Sequence, residues 1–504
     1  MFRPLLPLLP ALAISTAAGQ SCDLAVIGAG PGGAYVAWRY ATAKPEESVC
    51  LFDMSARVGG RVHSLRRQGP RHDLVVEAGA YRFALNDTCI RFGNYSFCVS
   101  TPLTKHLVVD ALKLPTKAYN PTKAGWDHAL HKIVDAAGND AGYLTFVEKM
   151  AHASLSNLKL LLGKELASIG PSSLAPADGL TLVFADGAAV TAKRLALNLP
   201  QRPLLRLLAA SPSLVPADAQ WPAPLTRPLA YPIVKLYLHY DDAWWINDLG
   251  LRAGSFNNSQ AWHADPTGPM AADDCLGARQ APYPLQGAYH DGDYRCDRPG
   301  PRACRGFLQA AYMGDPQAVR LYEQFHLSGT DSAVALDPAT RPDHRFLLEG
   351  VHAALLGVHE ATLKAKGAYE RVAAMQPSGG VASVWSDRAV GLEAGCHMPR
   401  EHAGSVKPTP AAAIAPLAPW AKQVFVVNEA FGTRECWAEG SLVMAENAAA
   451  RLGLPRPAWL PQDLYEKLLF KGEGEGGGEG AAAERVHASD LAMAGVAARA
   501  GRLA

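Results

Sequence analysis

Apolar residues are continuous at Leu24–Ile27 and again over Ser48–Phe52, the pattern of strands buried on both faces. Between them Ala34–Thr42 carries little that breaks a helix, so the segment predicts a βαβ start with a parallel sheet. Leu180–Phe184 and Val190–Leu199 alternate or run apolar around Ala-Asp-Gly, which predicts a hairpin. Ile233–Tyr240, Phe307–Tyr312, Val381–Trp385 and Val424–Asn428 read as further strands, with shorter extended pieces at Leu74–Glu77 and Glu165–Ile169. Helical spacing is expected over Gly125–Asp135, Gly142–His152, Ala318–Phe325, Arg345–Lys366 and Trp437–Arg451. The stretch 84–140 is otherwise irregular, Pro200–Pro228 reads as a crossing between domains, and 264–304 reads as a surface excursion. From Gly472 the chain turns to Gly/Glu/Ala repeats, a flexible linker before an Ala-rich tail.

The turn after the first strand reads Gly28-Ala29-Gly30-Pro31-Gly32-Gly33, with Asp53 twenty positions past Gly33. Glycine at 28 suits the tight turn, at 30 a close backbone approach to a pyrophosphate, and at 33 close helix–sheet packing. The helix N-terminus offers unpaired N–H groups to phosphate oxygens, and the Asp53 carboxylate is placed to accept from a ribose. Gly59-Gly60-Arg61 follows closely, a second close approach beside a guanidinium fork for phosphate. Near the other end, Val424–Ala430 is a strand that runs into Glu429, and Cys436–Leu442 opens a helix. Cofactor contacts at both ends of a chain point to FAD rather than to a nicotinamide nucleotide alone.

With 504 residues and 49% apolar composition, the chain can bury a large core and form more than one domain. A net charge of +1 gives no reason to expect nucleic acid or an acidic membrane as a partner. Met1-Phe2-Arg3, the apolar Leu5–Ile14 and the small Ala17-Ala18-Gly19 read as a signal peptide over 1–20, too short and Pro-rich to stay as a membrane span. Secretion makes Asn86, Asn94 and Asn257 usable glycosylation sites. Among nine cysteines, Cys89 with Cys98, and two of Cys275, Cys296 and Cys304, are candidates for pairing. Cys22 and Cys50, in core strands, are expected as small buried hydrophobes. No metal site is expected.

The motifs Asp53…Gly59-Gly60-Arg61, Glu77-Ala78-Gly79-Ala80-Tyr81-Arg82-Phe83, Val234-Lys235-Leu236-Tyr237…Trp244-Trp245 and Asn428-Glu429-Ala430…Trp437-Ala438-Glu439-Gly440 resemble those of flavin amine oxidases, most of all secreted L-amino acid oxidases. The resemblance runs over 22–455. It implies an α/β fold in which a Rossmann-type FAD-binding domain, built from 21–83, 142–230 and 385–460, carries an inserted mixed-sheet substrate domain at 231–384. A short lid is expected at 84–141, and the linker and tail at 471–504. Cofactor contacts are expected from Gly28, Ala29, Gly30 and Gly33, from Asp53 and Met54, and from Gly60 and Arg61. Further contacts are expected from Gly79, Ala80, Tyr81 and Arg82, from the backbone of Leu166, and from Glu429. The closing helix adds Trp437, Glu439, Gly440, Ser441 and Leu442.

The same resemblance gives the catalytic set. Lys235 would hold a water near the flavin and help oxygen accept electrons. Arg82 would clamp a substrate carboxylate, unless it pairs with Glu77 or touches only the flavin, and Tyr312 would bond the same carboxylate. Trp437 would wall the pocket. The implied reaction is oxidation of an L-amino acid to a 2-oxo acid, ammonia and hydrogen peroxide, with O2 as acceptor. His397 is a candidate base. Cys436 and Asn428 stand where the family has glycine, and the lid is shortened. Gly395-Cys396 loosely resembles the site where monoamine oxidases attach flavin covalently. An amine or polyamine oxidase, which has no need of Arg82, and a secreted flavin-fold binding protein without turnover remain open. Oligomeric state also remains open, a homodimer included.

Overall fold

The computed structural model describes residues 20–92, 95–120, 129–172, 179–215, 221–258, 283–325, 332–386, 394–399, 410–434 and 436–470. The signal segment, the sequon serine at 259, Cys275 and the 471–504 tail lie outside them.

Two sheets organise the molecule. In the first, seven strands run in the order Leu158–Leu161, Val49–Phe52, Gln20–Ile27, Ala189–Leu197, Leu180–Phe184 and Leu166–Pro171, with Val424–Val426 also paired to Ala189–Leu197. The Leu158–Leu161, Val49–Phe52, Gln20–Ile27, Ala189–Leu197 and Val424–Val426 strands pair in parallel, while Leu180–Phe184 pairs antiparallel with both Ala189–Leu197 and Leu166–Pro171. Both faces of the parallel part are covered, which is why these strands lack polar alternation: Leu24–Val26, Leu51 and Leu195–Leu197 are fully buried. The Pro31–Ala43 helix starts on a proline, whose missing N–H costs nothing in a first turn. It packs on this sheet beside the Ala438–Arg451 helix, which brings together segments about four hundred positions apart.

The second sheet is antiparallel throughout, in the order Ser255–Asn257, Gln286–Ala288, Cys304–Met313, Ile233–Tyr240, Gly379–Trp385 and Ala333–Leu336; mixed strand direction belongs to the first sheet alone. The helix Pro342–Ala365 covers it through Leu347, Leu348, Val351, Leu355 and Leu363, a helical period of apolar positions.

Four expectations change. The helix expected at Gly125–Asp135 is, where described, the strand Leu130–Ile133, which pairs with Phe83–Ala84 and Thr116–Ala118. The excursion at 264–304 contributes the strands Gln286–Ala288 and Tyr294–Cys296 to the second sheet. Cys22 and Cys50 are not free hydrophobes but a disulfide across neighbouring strands. Cys396 is bonded to Cys436, which removes it as a thiol for flavin attachment. Cys296 pairs with Cys304, one of the combinations left open.

Candidate functional site

A cavity of about 490 Å³ opens at the carboxyl ends of the parallel strands, the edge where open α/β sheets bind ligands. Gly28, Gly30, Asp53, Met54, Gly60, Arg61 and Leu166 line one part of it; Gly79, Ala80, Lys235, Tyr312, Trp385, Cys396, Glu429, Cys436, Trp437 and Ser441 line the rest.

The glycine turn is enforced sterically. Gly28 has φ +94°, and a Cβ there would stand 2.5 Å from the Asn198 carbonyl oxygen. At Gly33 a Cβ would stand 1.9 Å from the Gly28 carbonyl, so the helix closes on the strand only without one. Asp53 Oδ2 accepts the Ala29 N–H at 2.7 Å, while Oδ1 accepts the Ser55 N–H and hydroxyl at 2.9 and 2.7 Å. Spare acceptor capacity therefore lies on Oδ2, enough for one ribose hydroxyl. Ser441 Oγ accepts the Gly32 N–H at 3.1 Å and thereby ties the closing helix to the opening turn.

At the other end, strand register sets Lys235 between Tyr312 and Ser383 on neighbouring strands. Its ammonium donates to the Glu77 and Gly79 carbonyls at 3.1 and 2.5 Å and lies 3.7 Å from the Tyr81 ring centre and 4.9 Å from that of Tyr312. Burial pushes its pKa down, against the pull of the nearby Glu77 carboxylate. Burial pushes Glu77 up. That carboxylate accepts from Ser64 Oγ at 2.6 Å and from the Tyr143 N–H at 2.7 Å.

Arg82 turns elsewhere. Neither it nor Tyr81 is among the cavity-lining residues. Its guanidinium lies 3.8 Å from Asp291 Oδ1 and packs over the rings of Tyr81 and Tyr119. Asp291 also accepts from the hydroxyls of Tyr81 and Tyr119. Asp291 escaped the sequence reading because its stretch is rich in Gly and Asp and short of core residues.

Arg61 is engaged within the protein as well. Nη2 lies 2.7 Å from Glu429 Oε2 and 3.1 Å from Asn428 Oδ1. Glu429 also accepts the N–H groups of His397 and Cys436 at 3.0 and 2.9 Å, and its Oε2 lies 3.2 Å from His397 Nδ1. Although burial opposes ionisation, Arg61, His397 and these bonds hold the Glu429 pKa well below the usual carboxylate range.

Besides Tyr81 and Arg82, five expected cofactor contacts are not among the cavity-lining residues: Ala29, Gly33, Glu439, Gly440 and Leu442. Glu439 accepts from the Leu103 and Thr104 N–H groups and the Thr104 hydroxyl, capping the short helix Pro102–Lys105. Gly440 packs against the Arg434 carbonyl, where a Cβ would be 2.5 Å away. Leu442 is fully buried in the core. Trp385 and Asn198 are among the lining residues that the sequence reading missed. Trp385 ends an apolar run and donates its indole N–H to the Ala78 carbonyl at 2.8 Å. Asn198, which donates to the Gly28 carbonyl at 3.1 Å, is the first polar residue after a buried parallel strand; that position was the available signal.

Residues 26–90 match the family model of an NAD(P)-binding Rossmann-like domain. The fold is α/β with a Rossmann-type nucleotide-binding part. Two solved structures of putrescine oxidase, one the wild type bound to putrescine and one a double mutant from a redesign of cofactor binding, are similar at 14% identity and TM-score 0.47, over 86% of this chain and 99% of theirs. No curated protein matches in sequence. No helix among the described residues is long and apolar enough to cross a membrane.

The residues present fit a flavin dinucleotide. Gly30 and Gly60 leave wall without side chains at the cavity, Asp53 keeps an acceptor, and the same space continues to an aromatic end at Tyr312, Trp385 and Trp437. A nicotinamide nucleotide bound by residues 26–90 alone would not account for that continuation.

Proposed function

We propose that the chain is a secreted FAD-dependent oxidase that acts on the carbon–nitrogen bond of a small amine-bearing substrate, with O2 as electron acceptor. One observation carries the reading: a single cavity joins the glycine turn and Asp53 to an end formed by the buried Lys235 with Tyr312 and Trp437. Gly28–Gly30 and the helix N-terminus would hold the pyrophosphate, Asp53 the ribose, and Trp437 the edge of the ring system. FAD bound there would supply two-electron acceptance and its return to oxygen. Lys235 places a buried cation where charge develops on oxygen, held by two carbonyls and the Tyr81 ring. Tyr312, Trp385 and Trp437 exclude water and orient the substrate. The disulfides Cys22–Cys50, Cys296–Cys304 and Cys396–Cys436 support an oxidising compartment, hence secretion.

The finer reading is an L-amino acid substrate yielding a 2-oxo acid, ammonia and hydrogen peroxide, with Arg82 and Tyr312 on the carboxylate. The Arg82–Asp291 pair favours a second reading, a plain amine or diamine, because the charge of Arg82 is already met inside the protein. Peroxide assays of purified yellow protein with L-Phe, L-Lys and an aliphatic amine decide between them. If the carboxylate is clamped, Arg82→Leu lowers kcat/KM for the amino acid by about 10- to 100-fold, the loss of a charge-assisted bond of about 1.5–3 kcal/mol, and leaves amine turnover unchanged. Unchanged amino acid turnover selects the amine reading. Only a neutral amine releases hydride readily, so activity should rise with pH up to the substrate amine pKa. A flavin that no amine bleaches anaerobically marks a binding protein, and a colourless protein that takes up no FAD overturns the proposal.

A further inference from the structure

Among the described residues three disulfides form, and they differ in where they sit. Cys22–Cys50 staples two strands of the first sheet, and Cys296–Cys304 links directly opposed residues of an antiparallel pair. Neither contributes to the cavity wall, whereas both sulfur-bearing residues of Cys396–Cys436 do. Cys436 directly precedes Trp437 and is half-buried, while Cys396 behind it is 2% exposed. Both residues thus face the cavity, Cys436 being the more exposed of the two.

The bond is also redundant as a tie. Glu429 already joins the two segments it links, because one carboxylate oxygen accepts both the His397 N–H, next to Cys396, and the Cys436 N–H. Arg61 anchors that carboxylate at 2.7 Å. Cleavage of the S–S bond would leave these contacts in place, so the wall can survive reduction. Arg61 also reaches the Gly395 carbonyl at 3.4 Å, which fixes the backbone next to Cys396.

We propose, resting on the flavin reading above, that Cys396–Cys436 is a second redox centre of the cavity and exchanges two electrons with the bound flavin. The S–S bond would accept a hydride equivalent from a reduced anionic flavin held there and break, the two electrons and proton leaving Cys396 and Cys436 as one thiolate and one thiol and the flavin oxidised. Run backward, the dithiol reduces the flavin, and oxygen takes the electrons on. Dithiols thereby become a second class of electron donor to the site.

Anaerobic photoreduction of the full-length chain loaded with FAD tests this. Wild type should take up twice the electrons per flavin that the Cys396→Ser/Cys436→Ser double variant takes. Alkylation of the photoreduced wild type under denaturing conditions, followed by peptide mass spectrometry, should label Cys396 and Cys436 and spare Cys22, Cys50, Cys296 and Cys304. The labelling needs no variant, so it decides even if the double variant does not fold. Flavin reduction with Cys396 and Cys436 unlabelled, or labelled no more than Cys296 and Cys304, overturns the proposal and leaves the flavin reading standing. Failure to bind FAD at all removes both.

Discussion

Arg82 and Asp291 are each held by the other and by a shared pair of tyrosines, so removing one charge strands its partner in a buried place. Arg82→Leu should cost about 1–3 kcal/mol, since Asp291 keeps both tyrosine hydroxyls. Adding Asp291→Asn should recover most of that loss, and urea unfolding of the single and double variants reads it. The glycine turn gives a second contrast between neighbours. A Cβ at Gly28 meets immovable backbone at a positive φ, whereas one at Gly30 meets at 2.9 Å only the Asn198 side-chain amide, which can turn. Gly28→Ala should therefore lose cooperative folding or more than about 2 kcal/mol, while Gly30→Ala stays within about 1 kcal/mol of the parent. FAD binding should weaken in Gly30→Ala, because the added methyl stands where the pyrophosphate approaches. Thermal unfolding and flavin fluorescence quenching separate the two effects. Glycine spacing made this turn legible in one dimension; the Arg82–Asp291 pair was not, because its partners lie about two hundred positions apart and only the second sheet brings them together.

Elements with a strong period were readable in advance. Pro342–Ala365 shows its apolar stripe plainly, and the 180–197 hairpin announces itself by a turn between two apolar runs. Leu130–Ile133 was not readable, because its four residues form a strand only by pairing with Phe83–Ala84 and Thr116–Ala118. The stripe of Pro342–Ala365 contains buried His352 and His359, and on the opposite face of the strand Ile233–Tyr240 His239 is buried against Phe307. Burial pushes all three imidazoles down, His239 to about 4. The folded state therefore keeps them neutral while the unfolded chain protonates near 6.5. The stability that depends on these neutral imidazoles is complete above pH 6.5 and falls as pH drops from 6.5 through the folded-state values. Hydrogen exchange at pH 5 against pH 7.5 should show faster opening of Pro342–Ala365 than of the Pro31–Ala43 helix. His352→Gln should flatten that dependence, and equal acceleration of both helices would remove the argument.

Across the whole molecule, the two sheets divide the cavity between them: the first supplies Gly28, Asp53 and Leu166, the second Lys235, Tyr312 and Trp385. The sequence carried the first half because a nucleotide turn is local, with its glycines and acid inside one βαβ unit. The second half is assembled from residues up to about a hundred and fifty positions apart; elsewhere, polar groups expected at the cofactor proved internal, Arg61 pairing with Glu429 and Glu439 capping a helix. The division makes the identity of the ligand testable without turnover. A ligand that spans the cavity contacts both sheets and stabilises both by its free energy of binding, about 2.7 kcal/mol at a hundredfold excess over Kd. A ligand confined to the turn contacts the first sheet only. With FAD, amide exchange should therefore slow in both Gln20–Ile27 and Ile233–Tyr240; with adenosine diphosphate, in Gln20–Ile27 alone. If FAD protects no more than adenosine diphosphate does, its ring does not reach Lys235, and the aromatic end serves some other ligand. If a nicotinamide dinucleotide protects both strands and FAD neither, the cavity belongs to that cofactor instead.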